Sequence, residues 1–210
     1  MLVDQFEIVE PGGLSVGPTV SGGTMRIGAL VLILALVTAP ACGGGSGASP
    51  GGSPTPLAAS FIPEQPSPAA NNVAMAEGAK TNDVVTINVT LTDANGVYAT
   101  AFEVVYDDTH TVYLGFTPGS VFEQGGISPN YTVSTVSGAT NPGRIIVGVA
   151  RTGSVATDVS GTKTVVGLQF RVRQAGVYPL TVQNAVVYDS QSTPQPIPGM
   201  VWFAGAVAGA

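Results

Sequence analysis

Charge is the scarcest property of this sequence: 7 Lys and Arg and 13 Asp and Glu among 210 residues, 10% in all, against about 25% in an average soluble domain. With so few cations and a formal net charge of −6, there is no basic stripe to release counterions from a phosphate backbone, which leaves nucleic acid out as a partner. One cysteine, Cys42, permits no intrachain disulfide. One histidine, His110, has no cysteine or acidic cluster near it in sequence, so a metal centre would have to be assembled from distant strands, and none is expected. Asp107 and Asp108 are adjacent; in an extended chain their side chains diverge, which rules out a paired acid and base and favours a turn or capping role. No nucleophile elbow is present, and the Gly-x-Gly patterns lie in linkers or turns rather than between strand and helix. No catalytic residue and no cofactor follow from these residues.

Helical periodicity is missing as well, whereas strand periodicity is abundant. Val85, Ile87, Val89 and Leu91 alternate in one run, and Tyr98, Phe102, Val104 and Tyr106 fall at even spacing in the next, the two-residue period of a half-buried strand. Asp93-Ala94-Asn95-Gly96 between them predicts a tight reversal, with Asn-Gly supplying positive φ. Further turn signals, among them Pro118-Gly119, Gly125-Gly126, Asn141-Pro142-Gly143, Gly161, Gly176 and Pro194 to Gly199, separate short apolar segments at Tyr131–Val136, Arg144–Val149, Thr164–Val172, Val177–Val187 and Met200–Phe203. About nine short strands so spaced predict an all-β, two-layer antiparallel sandwich over residues 72–210, large enough for one core.

Ahead of that domain the composition changes twice. Residues 1–24 carry no sustained period, and translation is expected to start at Met25; the alternative is a cytoplasmic tail before a signal anchor. Residues 25–41 then read as a signal peptide: Arg26 as the positive end, Ile27–Val37 as the apolar stretch, and small residues up to Ala41. Cys42 directly follows. This arrangement resembles the lipobox of bacterial lipoproteins, which implies lipidation of Cys42, a membrane association through that anchor only, and, with Gly43 next, sorting to the outer membrane or cell surface. The alternative is ordinary cleavage after Ala39 or Ala41, leaving a free thiol. Residues 42–71 are rich in Gly, Ser and Pro and are expected to be a disordered linker, too poor in apolar area to offset their ordering entropy.

Several motifs of residues 72–207 resemble the cohesin family. Thr81-Asn82-Asp83 ahead of Val84-Val85-Thr86-Ile87 resembles its opening strands. Phe102-Glu103-Val104-Val105-Tyr106-Asp107 is similar to its aromatic-to-Tyr-Asp signature, followed by Thr117-Pro118-Gly119-Ser120-Val121. Asn141 to Val147, Gly167-Leu168-Gln169-Phe170-Arg171-Val172 and Pro179 to Asp189 resemble its later turn and strands. The resemblance implies a nine-stranded jelly-roll β-sandwich and a non-catalytic module that binds a dockerin-like or other envelope or secreted protein, in a setting of polysaccharide binding or breakdown. Two departures stand out: Thr109-His110-Thr111 occupies the place where the family usually has a leucine, with Val112 and Leu114 as substitutes, and the outward positions of the strand leading into Tyr-Asp, polar in members that bind dockerins, are here mostly Ala and Val, which bears on partner binding.

If Phe102 and Val104 point inward, the outward residues of their strand are Ala99, Ala101, Glu103 and Val105. These, with Arg144 placed to pair with an outer carboxylate, are the expected partner-binding face. A rival from another class is direct carbohydrate binding, which needs exposed coplanar rings; Tyr98, Tyr113, Tyr131 and Trp202 are the candidates for stacking on sugar. A structural envelope lipoprotein is the third alternative. Tyr106 is expected in the core, and His110 in an exposed loop.

Overall fold

A computed structural model describes residues 57–123, 125–138 and 141–210. The leader, Cys42 and the greater part of the Gly/Ser/Pro stretch lie outside these residues. Eleven strands follow in order: β1 (Ala59–Pro63), β2 (Asn72–Thr81), β3 (Val84–Val97), β4 (Ala99–Tyr106), β5 (Thr111–Pro118), β6 (Asn130–Gly138), β7 (Asn141–Ala150), β8 (Thr157–Val172), β9 (Gly176–Tyr188), β10 (Val201–Phe203) and β11 (Gly205–Gly209). They form a six-stranded sheet, β1-β11-β9-β4-β7-β6, and a five-stranded sheet, β10-β2-β3-β8-β5. The all-β, two-sheet architecture is the expected one, and all pairs are antiparallel except β10 on β2, which is parallel.

The core is what the alternation of the sequence dictates. Val85, Ile87, Val89 and Leu91 of β3 and Leu168 and Phe170 of β8 face Phe102 and Val104 of β4 and Ile145, Val147 and Val149 of β7, all at 2% exposure or less. Because the side-chain period is two, sending Ile145, Val147 and Val149 inward sends Arg144, Ile146 and Gly148 outward. In the same way Phe102, Val104 and Tyr106 hold Ala101, Glu103 and Val105 on the other face of β4. Tyr106 is buried, edge-on to Phe170 at 5.4 Å between ring centroids.

Three expectations need correction. The linker was expected to reach residue 71, yet Ala59–Pro63 already pairs with β11, so the sheet begins at residue 59. Phe61 supplies the reason: it is 5% exposed within the core, apolar area that the surrounding Gly/Ser/Pro composition conceals. Second, Asp93 to Gly96 is no hairpin. β3 runs on through it with register shifts against β8, and β4 lies in the opposite sheet. The positive φ of Asp93 (40°) and Gly96 (67°) serves bulges instead. Asp93 Oδ1 accepts from Gly161 N at 2.6 Å, and Asp158 Oδ1 accepts from Gly96 N at 2.8 Å, so the two strands staple one another. Third, Asn141-Pro142-Gly143 belongs to β7 rather than to a turn. The count of eleven against nine comes from the short strands β1 and β11; the latter, Gly-Ala-Val-Ala-Gly, carries a single fully buried side chain, Val207.

Candidate functional site

The outer face of the six-stranded sheet assembles residues from four neighbouring strands in rows. The central row runs Gln183 (β9), Glu103 (β4), Ile146 (β7), Ser134 (β6); the flanking rows run Thr181, Val105, Arg144, Val136 and Val186, Ala101, Gly148, Thr132. A fourth row is Tyr188, Ala99, Ala150, Asn130. All five residues expected on the partner face, Ala99, Ala101, Glu103, Val105 and Arg144, therefore share one surface. The burial of β4, alternating strictly between partly exposed and buried along its length, reflects that placement.

Glu103 is the polar centre. A one-residue bulge of β9, opposite the step from Ala101 to Glu103, puts Asn184 into positive φ (49°), a conformation asparagine tolerates. Asn184 Nδ2 donates to Glu103 Oε1 at 3.0 Å. The other oxygen, Oε2, is shut off from solvent without a hydrogen-bond partner and faces Arg144 Nη1 at 3.5 Å. Around this ion pair lie small residues, Ala101 and Gly148, which let another backbone come close, and the exposed apolar side chains Ile146 and Val136. Thr132, Ser134 and Thr181 add hydroxyls at the margin. Arg144 was legible as a partner for an outer carboxylate; Ile146, Asn184 and the β6 row were missed. The alternation Arg144-x-Ile146-x-Gly148 could have supplied Ile146, whereas the bulge that aims Asn184 has no local signature.

The candidate sugar-stacking rings do not form a platform. Tyr113 lies in the five-stranded sheet, edge-on to Phe170 at 5.8 Å, and burial first and the neighbouring Tyr106 second push its hydroxyl up to about 12. Tyr131 turns inward: its hydroxyl accepts from Gly119 N at 2.9 Å and donates toward Val165 O at 3.0 Å, and burial raises its pKa. Trp202 packs against Phe102 at 5.3 Å. Tyr98 donates its hydroxyl to Gly153 O at 2.6 Å at the end of the sheet. Rings spent on packing and on closing loops cannot present a coplanar row, so the stacking expectation for these four is corrected.

Asp107 does cap a turn. Its Oδ1 accepts from the backbone N–H and the hydroxyl of Thr109, and its Oδ2 lies 2.6 Å from His110 Nδ1. These bonds, the Thr109 hydroxyl first and the His110 ring second, hold the Asp107 carboxyl well below the usual carboxylate range. His110 stands in the turn between β4 and β5 with its side chain 39% exposed, as expected, and its ring stacks on Tyr178 at 5.0 Å between centroids. Among the described residues no group of three or more His, Cys, Asp or Glu is placed to hold a metal ion.

A family model described as Cohesin domain matches residues 70–201. Among solved structures, the chain is similar to a type II cohesin domain from the cellulosome of Acetivibrio cellulolyticus, at 12% identity and a TM-score of 0.49, covering 65% of this chain and 92% of that one. It is similar to the sixth cohesin of scaffoldin B from the same organism, solved with a mutant Cel5 dockerin, at 21% identity and a TM-score of 0.44, covering 70% and 96%. A non-cellulosomal cohesin from the hyperthermophilic archaeon Archaeoglobus fulgidus matches at 16% identity and a TM-score of 0.41, covering 69% and 86%. No curated protein matches.

Proposed function

Because this chain belongs to the cohesin domain family, we propose that it is a non-catalytic recognition module that docks a dockerin-like protein through the outer face of β9-β4-β7-β6. The observation that carries this reading is Glu103, whose Oε2 is shut off from solvent, held by Asn184 and facing Arg144 in the middle of a patch of Ala, Gly, Val and Ile. A flat centre without bulky side chains accepts a partner closely, Ile146 and Val105 supply apolar contact, and the ion pair penalises a partner that leaves it unmatched. Strands about 4.8 Å apart and rows about 6.8 Å apart make this centre roughly 14 by 20 Å. That is less than the roughly 800 Å² per partner of a stable interface, so the hydroxyl margin and the adjoining Pro179 and Val177 of β9 belong to the dock as well.

The setting in this reading is polysaccharide binding or breakdown outside the cytoplasm. The leader of residues 25–41 and Cys42 behind it support a lipid anchor there, with the Gly/Ser/Pro stretch as a tether. Titration calorimetry against a dockerin module tests the docking. Ile146→Arg, which puts a long cation beside Arg144, is expected to weaken binding at least 100-fold, and Lys80→Ala, on a strand of the other sheet, to leave it unchanged. Equal binding by the wild type and Ile146→Arg would move the dock off this face.

A further inference from the structure

The two sheets have four edge strands, β1 and β6 in one and β10 and β5 in the other. Edge strands expose unpaired N–H and C=O groups that template another strand, and soluble proteins blunt them. Three of these edges are blunted. On the free side of β1, Ala59 N donates to Asn82 O at 2.7 Å, Phe61 N donates to Glu77 Oε2 at 2.8 Å, and Pro63 has no N–H to offer. β10 is three residues long, and the next amide, Ala204 N, donates to Glu64 Oε2 at 2.9 Å. β5 is broken by a bulge between Tyr113 and Gly115, where Gly115 has φ 149°, and stops at Pro118.

Over Tyr131 to Val136, β6 shows none of these devices among the described residues; its one register shift against β7 falls beyond them, between Val136 and Gly138. Tyr131 to Val136 pair regularly with Arg144 to Val149 of β7 without a register shift, and among the described residues the backbone of these six residues bonds to nothing else. The segment, Tyr-Thr-Val-Ser-Thr-Val, holds no charge, proline or glycine and, Ser134 apart, is built of strong strand formers. We propose that this edge is a self-association site: β6 of one molecule pairs antiparallel with β6 of a second copy, joining two six-stranded sheets into one. Self-complementarity argues for a copy rather than a foreign strand. A two-fold axis through the middle of an uncharged strand sets no charge against itself, and its outward side chains, Thr132, Ser134 and Val136, pair hydroxyl with hydroxyl or with apolar neighbours. The side chains on the other face, Tyr131 and Val133, pack against the core and hold the strand extended. The paired molecules would carry their outer faces side by side on one continuous sheet, which raises the apparent affinity for any multivalent partner.

Sedimentation equilibrium of the full chain tests the pairing. A single strand edge buries little area, so association is expected between about 1 and about 500 µM. Over that range the apparent mass should rise from 21.1 kDa toward twice that value. Ser134→Lys, which sets two ammonium groups near one another across the axis, should weaken dimerisation at least 30-fold, while Ser134→Thr leaves it in place; unchanged emission of Trp202, the only tryptophan, verifies the fold of each variant. A mass that stays at the monomer value throughout overturns the proposal and leaves the edge to a strand of another protein. A dimer indifferent to Ser134→Lys overturns it too, since the contact then lies elsewhere.

Discussion

Gly143→Ala isolates a single packing contact between the six-stranded sheet and the core. Gly143 stands opposite Tyr106 in the β4–β7 pair. A Cβ on residue 143 would overlap Tyr106 Cζ and lie 2.7 Å from both Cε atoms, where ordinary contact begins at 3.4 Å. The ring must therefore recede by about 1 Å in a region packed as densely as an organic crystal. It has no room behind it, because Phe170 meets it edge-on at 5.4 Å and 74° and Tyr106 is only 6% exposed. Overpacking of this kind costs about 2–3 kcal/mol, or a fall in Tm of about 4–10 °C for a domain this size. Urea unfolding followed by Trp202 emission measures it, with an unchanged slope against denaturant showing that the midpoint shift is one of stability. In a Tyr106→Leu background the methyl finds space, and its cost should drop below about 0.5 kcal/mol or become a gain, since glycine weakens a strand interior. The same loss in both backgrounds, or no loss in the first, would refute the reasoning that the aromatic ring covers the glycine.

The Asp107 cap carries a pH dependence of defined sign. Its folded pKa is depressed, so its stabilisation is present in full above the unfolded value of about 3.9 and is lost as pH falls through the folded value. Asp107→Asn is expected to lower stability by about 1 kcal/mol at neutral pH, no more because the carboxylate is partly solvated. That gap should close in urea titrations run below about pH 4; a gap that persists undiminished to pH 2 would assign the effect to something other than the charge. For the proposed anchor, palmitate labelling of the wild type against Cys42→Ala is expected to show label in the first only, and equal labelling would remove Cys42 from that role.

Much of the proposed docking face was readable because it follows from one choice. Phe102 and Val104 are large and apolar, so they face the core, and a period of two then exposes Ala101, Glu103 and Val105. The same rule applied to Ile145 and Val147 exposes Arg144 and Ile146. The failures are of a different kind. Asp93 to Gly96 carries every residue preference of a hairpin turn, but positive φ is equally what a bulge requires, and only the partner strand decides which of them forms. Tyr113, Tyr131 and Trp202 looked available to a ligand because sequence shows that a ring exists and not which cavity it fills.

Local pattern therefore determined this protein's class: alternation and turn residues specify strands, a single cysteine permits no intrachain disulfide, and the order of motifs points to the cohesin family. Which strands become neighbours, and hence that Glu103 meets Asn184 from 81 residues away, was decided only by tertiary structure. So were the entry of Phe61 into the core and the place of β6 at the edge of its sheet. Each depends on contacts between segments distant in the chain, and a strand's own sequence records which face it buries but not what lies beside it.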